Sequence, residues 1–183
     1  MDELRSREGV AARALEFAIL TAARTNEVIG LRWPEIDFGA ATWTIPAQRM
    51  KMAKEHRVPL SEPAIELLRG LYTEAHNDHV FIGHQAGRGL GDRVLAEVLV
   101  RMGRTDITVH GFRSTFRDWA AETTAFPNHV VEQALAHAIG NAVERAYRRG
   151  DLFEKRRAMM QAWADYCTRP ADGAVVPMRR SVP

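Results

Sequence analysis

Cysteine is almost missing from this chain: Cys167 stands alone among 183 residues. An internal disulfide and a cysteine-based metal cluster are therefore excluded, and the usage suits a reducing compartment. Long apolar runs are missing too. None approaches the ~20 residues needed to cross a bilayer, and no N-terminal stretch has a signal-peptide layout, so cytoplasmic is the default location. Neither an internal repeat nor a low-complexity tract is present. Net charge is small, formally +2 with a pI near 9.0, too weak a bias to specify a polyanionic partner. The glycine-rich stretch from Gly83 to Gly91 lacks the Gly-Lys-Ser/Thr ending of a phosphate loop and reads as a plain connection. His56, His76, His79 and His84 fit no zinc spacing and no acidic residues bracket them usefully, so no metal site is expected among them.

What is present suits a single soluble domain with a real hydrophobic core: 46% apolar and 26% charged residues. Basic residues cluster locally. Arg49, Lys51, Lys54 and Arg57 face only Glu55, and Arg101, Arg104, Arg113 and Arg117 face Asp106. Such clusters suit a phosphate backbone, and they suit a solvated surface as well.

Apolar spacing predicts a helix from Val10 to about Ala23, with Leu15, Ala18, Ile19 and Ala22 on one stripe. Thr25 reads as the N-cap of a short helix that Pro34 closes, which leaves Arg24 at a helix-to-helix corner. Ala41–Pro46 and Arg57–Leu60 have strand character, and the polar segment with Lys51 and Lys54 connects them as a hairpin. Pro46 and Pro59 predict edge strands of a small exposed sheet. Ser61 starts a helix to about Tyr72, Val80-Phe81-Ile82 is a strand candidate, and Arg93–Met102 is an amphipathic helix. A further helix, His110 to about Glu122, buries Phe112, Phe116, Trp119 and Ala120 and carries His110 and Arg113 on another face. Pro127 begins the next helix, through Ala136. Asp151 caps a last one to about Tyr166, and residues 169–183 read as a flexible tail.

Arg24, Lys51, His110 with Arg113, His137 and Tyr147 appear along the chain in an order that fits chemistry on a phosphodiester. Breaking that bond without metal requires charge stabilisation on the non-bridging oxygens, deprotonation of a nucleophile and protonation of the departing oxygen. A permanently charged guanidinium fork matches two phosphate oxygens, which suits Arg24 and Arg113. Lys51 on a hairpin suits proton donation, and the imidazoles of His110 and His137 suit hydrogen bonding and proton shuttling. Tyr147 is a nucleophile once cationic surroundings favour its phenolate. Each residue also has a plainer reading: Arg24 as a partner of Glu27, Lys51 as a solvent-facing base, His110 as a cap or core histidine, Tyr147 as a surface aromatic.

Longer stretches carry a family resemblance. They are Thr21-Ala-Ala-Arg-Thr-Asn-Glu-Val-Ile-Gly-Leu-Arg-Trp33, Arg49-Met-Lys-Met52 with His56-Arg-Val-Pro-Leu-Ser61, and His110-Gly-Phe-Arg-Ser-Thr-Phe-Arg-Asp-Trp119. Leu135-Ala-His137 and Ala146-Tyr-Arg-Arg-Gly-Asp-Leu-Phe-Glu-Lys-Arg156 complete the set. Together they resemble the catalytic domain of the tyrosine recombinases, specifically phage and prophage integrases. The resemblance implies an α+β, mostly helical domain over residues 1–168 with a small antiparallel sheet, and DNA cut and rejoined without metal, nucleotide or other cofactor. It implies that Arg24 and Arg113 bind the scissile phosphate and Lys51 protonates the leaving group. His110 and His137 would assist, and Tyr147 would form a 3′-phosphotyrosyl bond. Double-stranded DNA attachment sites, a homo-tetramer on DNA, and accessory DNA-bending or directionality proteins are the implied partners. The spacing from His137 to Tyr147 is slightly longer than in many members and like that of the prophage type. Asn26 stands where glycine is common, and an asparagine tolerates left-handed backbone angles. The core-binding and arm-binding domains usual in the family have no counterpart before Val10, so a catalytic fragment or a truncated prophage remnant is expected.

Overall fold

The computed structural model describes residues 1–137 and 150–169. Its spine is α2 (Val10–Thr21), which follows the short α1 (Asp2–Arg5). One apolar stripe is predicted there, yet Ala14, Leu15, Phe17, Ala18, Ile19 and Leu20 are all buried. The cause is tertiary. α1, α3 (Thr25–Ile29), α4 (Glu62–Arg69), α5 (Val94–Arg101) and α8 (Phe153–Thr168) all pack on α2, and a helix covered on every side can be apolar all round. Buried Glu16 is compensated by Arg5 at 2.7 Å and Arg13 at 2.8 Å.

The domain is α+β and mainly helical. Its three strands, β1 (Ile36–Asp37), β2 (Thr42–Ile45) and β3 (His56–Pro59), form an antiparallel sheet in that order, with Trp43 opposite Val58 and Ile45 opposite His56. Two expectations need correction. β2 is the central strand, because the two-residue β1 covers its second side; Pro46 lies just past its end and removes no ladder donor. Nor is the sheet fully exposed: Trp43, Ile45 and Val58 are buried, and the Trp43 ring sits 5.6 Å from that of Phe17 on α2. Val80-Phe81-Ile82 forms no named strand, and its neighbourhood has only the isolated bridges Arg32–His79 and Ile82–Gly89. Phe81 instead fills the core against Phe17 at 5.6 Å.

Helix boundaries decide where the polar groups sit. Arg24, not Thr25, is the extended N-cap of α3, and its amide donates to Glu27 Oε2 at 2.9 Å. Asn26 lies inside α3; the left-handed residue at this corner is Ala22, with φ +49°. α6 (Gly111–Thr123) buries Phe116, Trp119 and Ala120 as the spacing predicts, while Phe112 is only half-buried and Arg113 is buried with the stripe. α7 (Asn128–Ala134) follows. The N-cap of α8 is Leu152 rather than Asp151, although the Asp151 carboxylate still accepts the Phe153 amide at 3.2 Å. α8 is wedged in by Trp163, whose ring lies 5.4 Å from Phe116 and 5.1 Å from Trp119 and whose Nε1 donates to the Ile19 carbonyl at 2.8 Å. Among the described residues, no helix is long and apolar enough to cross a membrane.

Candidate active site

Arg24 and Arg113, 89 positions apart in sequence, meet at one oxygen. Arg24 Nη2 donates to the Leu135 carbonyl at 3.4 Å and Arg113 Nη2 donates to the same carbonyl at 2.7 Å. Arg113 Nη1 donates to the Ala22 carbonyl. Local chain geometry supplies these acceptors. Ala22 is the left-handed C-cap of α2, and Leu135 is the C-cap of α7 with left-handed Ala136 beyond it (φ +49°). Each helix thus ends on an unused carbonyl, the partly negative end of its dipole, and both face Arg113. A non-glycine residue in this region costs about 1 kcal/mol, and here the strain coincides with the carbonyls that hold the guanidinium.

The two arginines are compensated unequally. Arg24 Nη1 pairs with Glu27 Oε1 at 2.8 Å, so the plainer reading of Arg24 as a Glu27 partner is also true. Arg113 is 5% exposed and has no carboxylate partner among the described residues, and its Nε is buried without an acceptor. Burial, and after it the charge of Arg24, pushes the Arg113 guanidinium down to about 10, with Glu27 opposing. It therefore stays charged at neutral pH. Two converging forks with one carboxylate between them carry an excess positive charge, which suits an anion with several oxygens.

His110 is the exposed N-cap of α6, one turn before Arg113, whose amide donates to the His110 carbonyl at 3.0 Å. Lys51 is exposed in the connection between β2 and β3 and takes no part in the Leu135-centred cluster. His137 follows α7 two residues after the shared carbonyl; its Nδ1 lies 2.8 Å from Glu132 Oε2. Tyr147 lies outside the described residues.

Several groups at this site escape sequence reasoning. His56, considered above only as a metal ligand, faces Arg24, Glu27 and Arg156, and its ring donates to the Ala134 carbonyl. Burial first, then the charge of Arg156, lowers it to about 4, so it is neutral in the folded protein. Its place in the His-Arg-Val-Pro-Leu-Ser stretch is the only signal that pointed to it. The carbonyls of Ala22 and Leu135 leave no residue-type signal at all. Among the described residues, no group of three or more His, Cys, Asp or Glu side chains is placed to hold a metal ion.

Residues 2–152 match the model of the phage integrase family. Prophage integrase IntA of Escherichia coli (strain K12) is 38% identical over 163 residues, 87% of this chain and 39% of that protein. The integrase of Enterobacteria phage P4 is 34% identical over 171 residues, 84% of this chain and 39% of its own length. This chain therefore spans about two fifths of the length of these relatives. The integrase from mycobacterium phage Brujita, 18% identical, shares the fold with a TM-score of 0.69 over 93% of this chain and 58% of that one. The matched residues include Arg24, Lys51, His110, Arg113 and His137, and the chain belongs to the phage integrase family.

Proposed function

We propose that residues 1–168 form the catalytic domain of a site-specific DNA recombinase, with 169–183 as a tail. A scissile phosphate sits between Arg24 and Arg113, its non-bridging oxygens taking the donors that the Leu135 and Ala22 carbonyls leave free. The Tyr147 phenol gives its proton to a neutral histidine, His137 or His110, and its oxygen attacks phosphorus. The bond to the 5′ oxygen breaks, and that oxygen takes a proton from Lys51, leaving a 3′-phosphotyrosyl ester and a 5′ hydroxyl. His110 and His137 contact the phosphate and move protons. Attack on the ester by a 5′ hydroxyl from another strand reverses the sequence and completes the exchange. Because the ester conserves the bond energy, no nucleotide is consumed and no metal or other cofactor takes part in the scheme. The substrate is duplex DNA carrying attachment sites, acted on in the cytoplasm by four protomers with accessory DNA-bending or directionality proteins.

One observation carries this reading: a buried, charged Arg113 that has no carboxylate partner among the described residues and is drawn to the same oxygen as a second arginine. Like charges held together in a low-dielectric place are costly unless an anion joins them. The test is a nicked suicide duplex, on which strand breakage releases a short fragment and prevents religation. A protein–DNA adduct that survives denaturation and disappears in Tyr147→Phe is expected. DNA retention without adduct would replace the recombinase with a binding module.

A further inference from the structure

We infer that Glu132 is a positioning residue for His137, fixing which ring nitrogen carries the proton and which one meets the phosphate; its bearing on rate rests on the reaction proposed above. The geometry is a closed bracket. α7 ends at Ala134, and left-handed Ala136 folds the chain back so that the His137 amide donates to the Glu132 carbonyl at 2.9 Å. The same glutamate takes His137 Nδ1 on Oε2 at 2.8 Å and Arg117 Nε on Oε1 at 2.9 Å. Arg117 stands one turn beyond Arg113 on α6. A single carboxylate thus ties the helix carrying Arg113 to His137, two residues beyond the shared Leu135 carbonyl.

The chemistry follows from what a carboxylate can do. An ionised glutamate only accepts, so the His137 nitrogen facing it must carry the proton. That nitrogen is Nδ1, whereas an unrestrained neutral imidazole favours the proton on Nε2. Glu132 therefore leaves Nε2 as the edge of the ring without a partner among the described residues. Neutral His137 then offers Nε2 as an acceptor for a phenolic or hydroxyl proton; protonated His137 offers it as a donor to a phosphate oxygen, with Glu132 stabilising the imidazolium. Arg117 holds the second carboxylate oxygen and keeps the group from rotating away. A glutamate acting only as a surface pair between α6 and α7 would show none of these consequences.

The experiment uses the full chain, labelled with nitrogen-15, and reads the His137 ring and the adduct rate together. Long-range proton–nitrogen spectra at neutral pH should give the Nδ1-protonated form in the wild type and the Nε2-protonated form in Glu132→Ala. Glu132→Gln, whose amide oxygen can still accept, should keep the wild-type form, and it carries the test if the alanine variant fails to fold. On the suicide duplex, Glu132→Ala should slow adduct formation roughly ten- to hundredfold with unchanged DNA retention, part of the effect of a positioned acid or base. It should add nothing in a His137→Ala background. A wild-type ring protonated at Nε2, a ring form indifferent to Glu132→Ala, or effects that multiply fully with His137→Ala would each overturn the inference. Absence of adduct from the wild type would remove the proposed reaction alone, and the ring spectra would still decide whether Glu132 orients His137.

Discussion

Arg113 and Arg156 are both arginines inside the domain, 5% and 1% exposed, and they are held in opposite ways. Arg156 donates to the Asp151 carbonyl at 2.7 Å, to the Asp151 carboxylate at 3.1 Å and to the Arg57 carbonyl, so every nitrogen has an acceptor and its charge has a counter-ion. Burial lowers its pKa and Asp151 raises it again. Arg113 has two helix-terminal carbonyls, an idle Nε, and Arg24 as its strongest charged neighbour, which Glu27 only partly opposes. A charge satisfied within the fold reinforces the fold. A charge left over is available to a ligand. On this contrast Arg156 joins β3 to α8, whereas Arg113 keeps an excess charge among the described residues, as the proposed phosphate contact requires.

Replacing each arginine by methionine, which keeps most of the volume, should separate the two roles. Arg113→Met is expected to reduce adduct formation by roughly 10²–10³-fold, the scale for losing one preorganised donor at a developing charge. Its stability in urea should change by only about 1 kcal/mol, because the unpaired carbonyls are offset by relief of repulsion from Arg24. Arg156→Met should do the reverse, costing roughly 3 kcal/mol of stability as two carbonyls and a carboxylate lose their donor. If Arg113→Met proves the more destabilising of the pair, the contrast fails.

His56 lies within reach of both arginine systems and can report on them. Unfolded, it takes up a proton near its ordinary 6.5; folded, only near 4. Between those values the unfolded state binds the additional proton, so the stability linked to His56 is complete above about 6.5 and is lost as pH falls toward 4. The loss is at most about 3 kcal/mol, and His56→Gln should remove that part of the pH dependence in urea titrations. Arg156 is the largest charge acting on the ring and Arg24 the smallest. Arg156→Met should therefore raise the His56 titration midpoint more than Arg24→Met does, as read from ring proton shifts.

Much of this was legible in the chain, and what was not has physical causes. The order Arg24, Lys51, His110, Arg113, His137 is a pattern of residue types, and the helices around it follow apolar spacing. Phe81, by contrast, has strand chemistry but answers to Phe17 in the core, a demand that no local window contains. Asn26 was read as a residue that tolerates left-handed angles where glycine is common; the left-handed residue at this corner is Ala22, whose carbonyl is turned toward Arg113. The backbone acceptors at Ala22 and Leu135 carry no side-chain signature. Arg113 could be named from the sequence, but its lack of a carboxylate partner among the described residues could not.

A third arginine tests whether an idle donor alone marks a binding site. Arg49 also leaves a buried Nε unbonded, yet its Nη2 pairs with Glu35 and its Nη1 donates to the Glu27 carbonyl at 3.3 Å. By the criterion of charge it belongs with Arg156, fastening the start of the Lys51 connection to α3. Gly30 makes room for it: a Cβ there would lie 2.5 Å from Arg49 Nη1 and 3.1 Å from the Asn26 carbonyl. The backbone at Gly30 is ordinary, with φ −89°, so Gly30→Ala introduces no torsional strain and acts through contact alone. It should destabilise by about 1 kcal/mol as the guanidinium is pushed off its partners. In an Arg49→Ala background the same change should cost markedly less, because the clash has gone. Equal costs in the two backgrounds would mean that the methyl meets the α3 backbone instead, and that Arg49 does not fasten the lysine connection to α3.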